Sequence, residues 1–109
     1  MSDGDNGITY KIVFEKDHAN VKVTYNLSTP VGGPVQIASF QVTVDGTDLI
    51  SGFSPGQTAF NGVKVHTLAK PDQDATVSFS LSANQGEPAG GVDVLRGDRT
   101  FDDAEFESD

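Results

Sequence analysis

The sequence predicts a single all-β domain, an antiparallel β-sandwich of immunoglobulin-like architecture, with a jelly roll or a small β-barrel as the alternative. Three observations predict it. Apolar and polar residues alternate in several short stretches, clusters of Gly, Pro, Asn and Asp separate those stretches, and no segment shows helical periodicity. The length of 109 residues suits one hydrophobic core. Because the chain contains no Cys and no Trp, the immunoglobulin Cys–Trp–Cys pattern is absent and only the architecture is predicted.

The first two predicted strands form a hairpin. In residues 8–15 every second side chain is large and apolar, and residues 21–28 repeat this pattern. Residues 16–20 between them are turn formers, which predicts a β-hairpin with a loop of about 4–5 residues. The Pro- and Gly-rich residues 30–34 then mark a loop or a crossing between sheets.

The third predicted strand covers residues 35–44 and contains a change of phase. The apolar residues up to Ile37 and those from Phe40 onward occupy opposite sides of an extended chain. This slip predicts a β-bulge, or a strand that bends between sheets, near Ala38 and Ser39.

A tight turn and four shorter stretches complete the predicted order. Asp45-Gly46 is a strong turn signal, and a short strand at 49–50 follows it. Residues 63–67 and 76–82 alternate with a period of two, and residues 92–95 are the candidate last strand. Turns at these intervals are typical of sandwiches.

The chain is expected to have three parts. These are a flexible N-terminus at 1–7, the sandwich at 8–101 and an acidic flexible tail at 102–109. No apolar stretch reaches transmembrane length, and residues 1–7 lack the features of a signal peptide. We therefore expect a soluble chain, cytoplasmic by default or exported by a non-standard route.

Charge and cysteine content exclude several classes of function. The formal net charge of −9 repels phosphate backbones, so nucleic acids and anionic membranes are disfavoured as partners. Without Cys the chain has neither disulfides nor cysteine catalysis. A protein or a glycan is the expected partner, with a homo-oligomer as an alternative.

No catalytic motif withstands a physical test. Residues 52–56 match the G-x-S-x-G nucleophile elbow, but the residue after Ser54 is Pro55, which lacks the N–H that the oxyanion hole needs. His66 shares a strand face with Lys64, and we expect both to point outward. The sequence therefore predicts that the chain is not an enzyme, and a small hydrolase using Ser54 and His66 is the remaining catalytic alternative.

Four aspartates at two turns are candidate calcium ligands. Asp45 and Asp48 border one turn, and Asp72 and Asp74 border another. Hard cations bind where several carboxylate oxygens converge. The alternative is that each Asp stabilises its own turn by accepting hydrogen bonds from nearby backbone N–H groups. Apart from calcium, no cofactor is expected.

Two predicted loops, 51–62 and 83–91, are the candidate contact loops, and the first of them carries the candidate ligand-binding residues. These residues are Phe53, Gln57 and Phe60. Exposed aromatic side chains on loops often anchor a partner. The alternative is that the two rings close one end of the sandwich.

These observations together predict a non-catalytic binding module. It would present loops or an edge strand to a protein or glycan partner. One alternative is a self-associating structural or assembly protein, because edge strands leave main-chain groups unpaired. The other is a calcium-assisted, lectin-like carbohydrate-binding domain.

Overall fold

The computed structural model consists of two four-stranded antiparallel sheets packed together, which confirms the predicted β-sandwich. It describes residues 8–29, 36–50, 59–84, 89–97 and 104–108, and for residue 59 the backbone alone. Within these ranges there is no helix, and therefore none able to cross a membrane. The strands are β1 (Thr9–Asp17), β2 (Asn20–Ser28), β3 (Ile37–Val44), β4 (Thr47–Ile50), β5 (Ala59–Thr67), β6 (Ala75–Ala83), β7 (Ala89–Leu95) and β8 (Ala104–Glu107).

The strand order determines which strands lie at the edges. The first sheet has the order β5-β2-β1-β8 and the second the order β4-β3-β6-β7. Three connections are hairpins within a sheet, namely β1–β2, β3–β4 and β6–β7, and the other four change sheets. Because β7 and β8 are in contact, they share one side of the sandwich and β4 and β5 share the other.

The core lies between the sheets and is built from the alternating apolar residues. Strand β2 shows the pattern most simply, since four of its residues are buried and every residue between them is exposed or half-buried. Aromatic rings bridge the two layers: Tyr25 lies 5.8 Å from Phe40, and Tyr10 lies 5.5 Å from Phe79, between ring centroids. Removal of these apolar surfaces from water is the main stabilising force of the fold.

The first hairpin is tighter than predicted. Asp17 pairs with Asn20, so the turn has two residues, His18 and Ala19, instead of the expected four or five. His18 has a φ of 57°, a positive value of the kind that two-residue hairpin turns require. Lys16 is therefore not part of a turn but belongs to β1, where its side chain is buried.

The predicted slip in β3 is present. The register against β6 shifts between Ile37 and Ser39, so Ile37 and Phe40 are both buried although they are three residues apart. Asp45 and Gly46 form the turn that follows, with φ values of 52° and 81°. A φ positive at both central residues is the geometry that matches the twist of the flanking strands.

The C-terminal segment differs from the predicted flexible tail. Residues 104–107 form β8, which pairs with β1 at the edge of the first sheet. Ala104 is buried, and the Phe106 ring packs against the rings of Phe14 and Phe79, with centroid distances of 6.0 Å and 5.0 Å. The acidic residues obscured this strand, because only its inward-facing positions, Ala104 and Phe106, are apolar.

Candidate functional site

Strand β5 is an edge strand of the first sheet and has nine residues. It pairs with β2 along its whole length, and no described strand lies on its other side. Its β-branched residues at 63, 65 and 67 favour an extended backbone. Gly62 fits this position because the Tyr25 hydroxyl occupies the space that a Cβ would need, at 2.7 Å.

The faces of β5 are reversed relative to the prediction. Lys64 lies opposite Val23 and His66 lies opposite Val21, so both are on the inward side of β5, where His66 is half-buried and Lys64 is still exposed. Val63 and Val65 are on the outer face, and each is 56% exposed. The sequence predicts the alternation of apolar and polar residues correctly but assigns the wrong face to the inside, because the register with β2 decides which face is inward.

The hydrogen-bond pattern shows which main-chain groups of β5 lie at the edge. Successive residues of an antiparallel strand direct their N–H and C=O to opposite neighbours. Asn20 flanks the two-residue turn, and its N–H and C=O point to β1. The N–H and C=O of the next residue, Val21, therefore point to its β5 partner His66. The even-numbered residues of β5 therefore direct their main-chain groups to β2. Leu68 continues this pattern, because its N–H donates to the carbonyl of Ala19 at 2.7 Å. The remaining main-chain groups, at Asn61, Val63, Val65 and Thr67, form what we call the free edge of β5.

This edge differs chemically from the other three edges. The chain contains 16 Asp and Glu residues, but β5 contains none of them and has one cation, Lys64. β8 is four residues long and carries Glu105 and Glu107, and β4 is equally short and carries Asp48. β7 has seven residues and one exposed valine, Val92, but it carries Asp93. Short length and charge are the features that protect an edge strand from pairing. β5 is the longest of the four edge strands and the one without a carboxylate, and its single protecting charge is Lys64.

A shallow concavity on the outer face adjoins the free edge. Val65 forms one side of it, and the others come from the β1–β2 hairpin, including Glu15 and Lys22. The Lys22 ammonium and the Glu15 carboxylate are 3.3 Å apart, and both side chains are at least 40% exposed. The surface beside Val65 is therefore close to neutral in charge, although the chain as a whole is acidic.

The candidate ligand-binding residues are only partly described. Phe60 is in β5 and not in a loop, because the strand begins at Ala59. Its ring is half-buried and packs on Tyr25 at 5.2 Å and on Phe40 at 6.0 Å, which favours the packing alternative. Phe53 and Gln57 lie outside the described residues, so their role in ligand binding stays a prediction.

The aspartates of the β3–β4 turn bind neighbouring groups of the protein. Asp45 accepts hydrogen bonds from the Thr76 N–H at 2.8 Å and from the Gln73 amide at 3.3 Å. Asp48 accepts one from the Gln41 amide at 2.8 Å. These contacts tie the turn to the start of β6 and to β3. None of them is a hydrogen bond from a backbone N–H of the same turn, so the turn-stabilising alternative stays a prediction.

The second pair of aspartates behaves in the same way. Asp72 contacts His18 at 3.3 Å, and Asp74 accepts a hydrogen bond from the Gly97 N–H at 2.8 Å and lies 3.8 Å from Arg96. In the part of the chain that the structure describes, no three His, Asp or Glu residues are close enough to hold a metal ion. Calcium binding by the four aspartates therefore stays a prediction.

The residues of the hydrolase alternative are not seen together. His66 is half-buried on the inward side of β5, which corrects the expectation that it points outward. Ser54 is outside the described residues. The other histidine, His18, lies in the β1–β2 turn with its side chain 66% exposed, between Asp17 and Asp72.

The hydroxyl-rich outer faces are partly occupied by contacts of their own. Thr43 hydrogen-bonds to Ser78 and Ser39 to Ser82 on the second sheet, and Thr9 bonds to Ser28 at 2.7 Å on the first. Cross-strand hydroxyl pairs of this kind stabilise a sheet. They give these residues a structural role without any glycan.

Sequence reasoning missed the free edge of β5 and the outward position of Val63 and Val65. The signal available was the phase that Phe60 and Gly62 share with Lys64 and His66, which is compatible with an inward side. It does not reveal that β5 lies at an edge, because neighbours are set by the packing of the whole chain. Comparisons with protein-family models, with curated proteins and with solved structures found no significant match to this chain.

Proposed function

We propose that this chain is a non-catalytic interaction domain that binds an extended polypeptide strand at the free edge of β5. The observation that carries the proposal is the combination, on one nine-residue strand, of exposed Val63 and Val65 with main-chain groups that no described strand pairs. Strand addition of this kind takes its affinity from main-chain hydrogen bonds and its specificity from alternate side chains.

Burial and charge both support this use of β5. Single exposed apolar residues are normal on a protein surface, but Val63 and Val65 are neighbours on the same face of the same edge strand. The absence of carboxylates from β5 lowers the electrostatic cost of bringing another chain close to an acidic protein. A glycan is less favoured, because no described aromatic ring lies on this outer face to stack on a sugar.

The experiment is a selection for peptides that bind at the edge. A phage-displayed library of random nonapeptides is selected on the wild-type chain, and each selected peptide is tested against Val63→Pro. Proline removes the N–H that points to the free edge and costs no hydrogen bond to β2. We expect selected peptides to bind the wild type and to lose most of their affinity for the proline variant.

Two further variants keep the result interpretable. Val63→Thr keeps the N–H and the β-branched shape, so it should retain binding. Val65→Pro repeats the test if Val63→Pro fails to unfold cooperatively on heating. Peptides that bind both proline variants as well as the wild type, or a library that yields no binder on a chain kept dilute enough to be monomeric, would overturn the proposal.

We also propose that the sandwich is of the immunoglobulin-like kind. The adjacent strands β1-β2-β5 and β3-β6-β7 correspond to the A-B-E and C-F-G strands of that architecture. The placement of β4 beside β3 and of β8 beside β1 differs from the seven-stranded constant type. A crystal structure in which β5 does not lie beside β2 would contradict the assignment.

A further inference from the structure

We infer that the strand bound at the free edge of β5 is β5 of a second copy, related by a two-fold axis and centred on Val63. The inference rests on the proposed function of this edge and names its partner. The two copies would form one continuous sheet with the order β8-β1-β2-β5-β5-β2-β1-β8.

Main-chain geometry makes the edge complementary to itself. A two-fold axis perpendicular to the sheet places two β5 strands antiparallel and keeps both outer faces on the same side. Only the odd-numbered residues of β5 direct their N–H and C=O groups to the free edge. In the dimer, each odd-numbered residue of one copy must therefore lie opposite an odd-numbered residue of the other. With Val63 opposite Val63 and Val65 opposite Asn61, about six main-chain hydrogen bonds form across the interface.

Side-chain charges select this register among its neighbours. Centring on Val63 places Lys64 opposite Gly62 and His66 opposite Phe60, with no like charges directly facing each other. Centring on Lys64 would place the two Lys64 ammonium groups opposite each other, which is destabilising. Centring on Val65 would place Lys64 opposite His66 and would not bring the two Val63 side chains together.

Charge and strand length elsewhere in the molecule limit how two copies can associate. The net charge of −9 opposes association of two copies, and β5 is the edge strand that carries no carboxylate. The continuous sheet would end on both sides in β8, a four-residue strand with Glu105 and Glu107. Such ends do not recruit further strands, so this sheet does not extend beyond two copies.

Single-cysteine variants test the register directly, since the natural chain has no cysteine to interfere. Three are compared: Val63→Cys, Lys64→Cys and Val65→Cys. Directly opposed residues have Cα atoms about 5.5 Å apart, within the range of about 4.4–6.8 Å that a disulfide accepts. We expect Val63→Cys to form the disulfide-linked dimer at least about tenfold faster than the other two. Equal rates, or faster linkage at 64 or 65, would overturn the inference.

Sedimentation equilibrium tests the interface without cross-linking. Val63→Pro removes one central N–H donor from each copy, so the dimer dissociation constant should rise by about 30-fold. Val63→Thr keeps both donors and should change it much less. Amide hydrogen exchange at high concentration should slow at Val65 in the wild type and in Val63→Thr, but not in Val63→Pro.

The outcomes separate the partner from the function. A wild-type chain that stays monomeric at millimolar concentration, yet binds selected peptides at β5, would overturn this inference and leave the proposed function standing. A dimer that persists unchanged in Val63→Pro would show that the copies meet elsewhere. Loss of both dimer and peptide binding in Val63→Pro supports both proposals.

Discussion

Lys16 shows how a single residue can defeat sequence reasoning. Its side chain is 1% exposed, and its ammonium donates to the carbonyls of His18, at 2.6 Å, and of Gly97. A buried charge requires such hydrogen bonds, because transfer from water is costly without them. Lys16 therefore ties the end of β1 to the segment after β7, although its sequence neighbours resemble a turn.

Replacement of Lys16 should destabilise the fold to an extent that depends on the new side chain. Lys16→Ala should lower the free energy of unfolding by about 2–4 kcal/mol, since it creates a cavity and leaves the Gly97 carbonyl without this donor. Lys16→Met retains the methylene groups and should cost only about 1–2 kcal/mol. Urea denaturation measures both, and an equal loss in the two variants would contradict this account.

Gly91 is required by close packing rather than by backbone conformation. A Cβ built on Gly91 would lie 2.6 Å from a ring carbon of Phe106, closer than atoms can approach. Gly91→Ala should therefore destabilise the chain by about 1–3 kcal/mol in urea denaturation. The control is the same substitution in a Phe106→Ala background, where its cost should nearly disappear. A cost that persists there would rule out the ring as its cause.

At the scale of elements, β8 and β5 differ most from what the sequence suggests. β8 is acidic and short, yet it closes the side of the sandwich that it shares with β7. β5 has the stronger strand pattern, yet its apolar residues face outward. Both cases show that pattern identifies a strand, whereas its neighbours decide which side is buried.

The packing of β8 can be measured through Phe106. Phe106→Ala removes ring contacts with Phe14 and Phe79 and should lower the free energy of unfolding by about 2–3 kcal/mol. Glu105→Ala is the matched control, since its contact with Lys11 at 3.6 Å joins two half-exposed groups and contributes little. If residues 104–107 were a flexible tail, both substitutions would leave stability unchanged.

At the scale of the whole molecule, charge opposes association while the β5 edge favours it. Each copy carries a formal charge of −9, so two copies repel each other at long range. Salt screens this repulsion, and the Debye length falls from about 30 Å at 0.01 M to about 8 Å at 0.15 M ionic strength. Main-chain hydrogen bonds across the edge depend far less on salt.

The dimer proposed above should therefore tighten as salt is added. We expect its dissociation constant to fall several-fold between about 0.01 M and about 0.15 M ionic strength, measured by sedimentation equilibrium. Val63→Thr should show the same trend, because it leaves the charge unchanged. Association that weakens with salt would indicate an interface built on ion pairs and would contradict pairing at β5.

Most strands were predictable, because their residues alternate with a period of two. The bulge in β3 and the Asp45-Gly46 turn were predictable as well, since both depend on local conformation. The length of the first hairpin loop was not predictable, because residues 16–20 have the composition of a turn although Asp17 and Asn20 are paired and Lys16 is buried in β1.

The amino-acid sequence by itself determined that this chain forms strands, that no cysteine stabilises it and that its charge is strongly negative. Only the tertiary structure decided that β5 lies at an edge, that Val63 and Val65 face outward and that β8 is a strand. The physical reason is that alternation and turn chemistry act over a few residues, whereas the neighbours of a strand depend on contacts between distant segments.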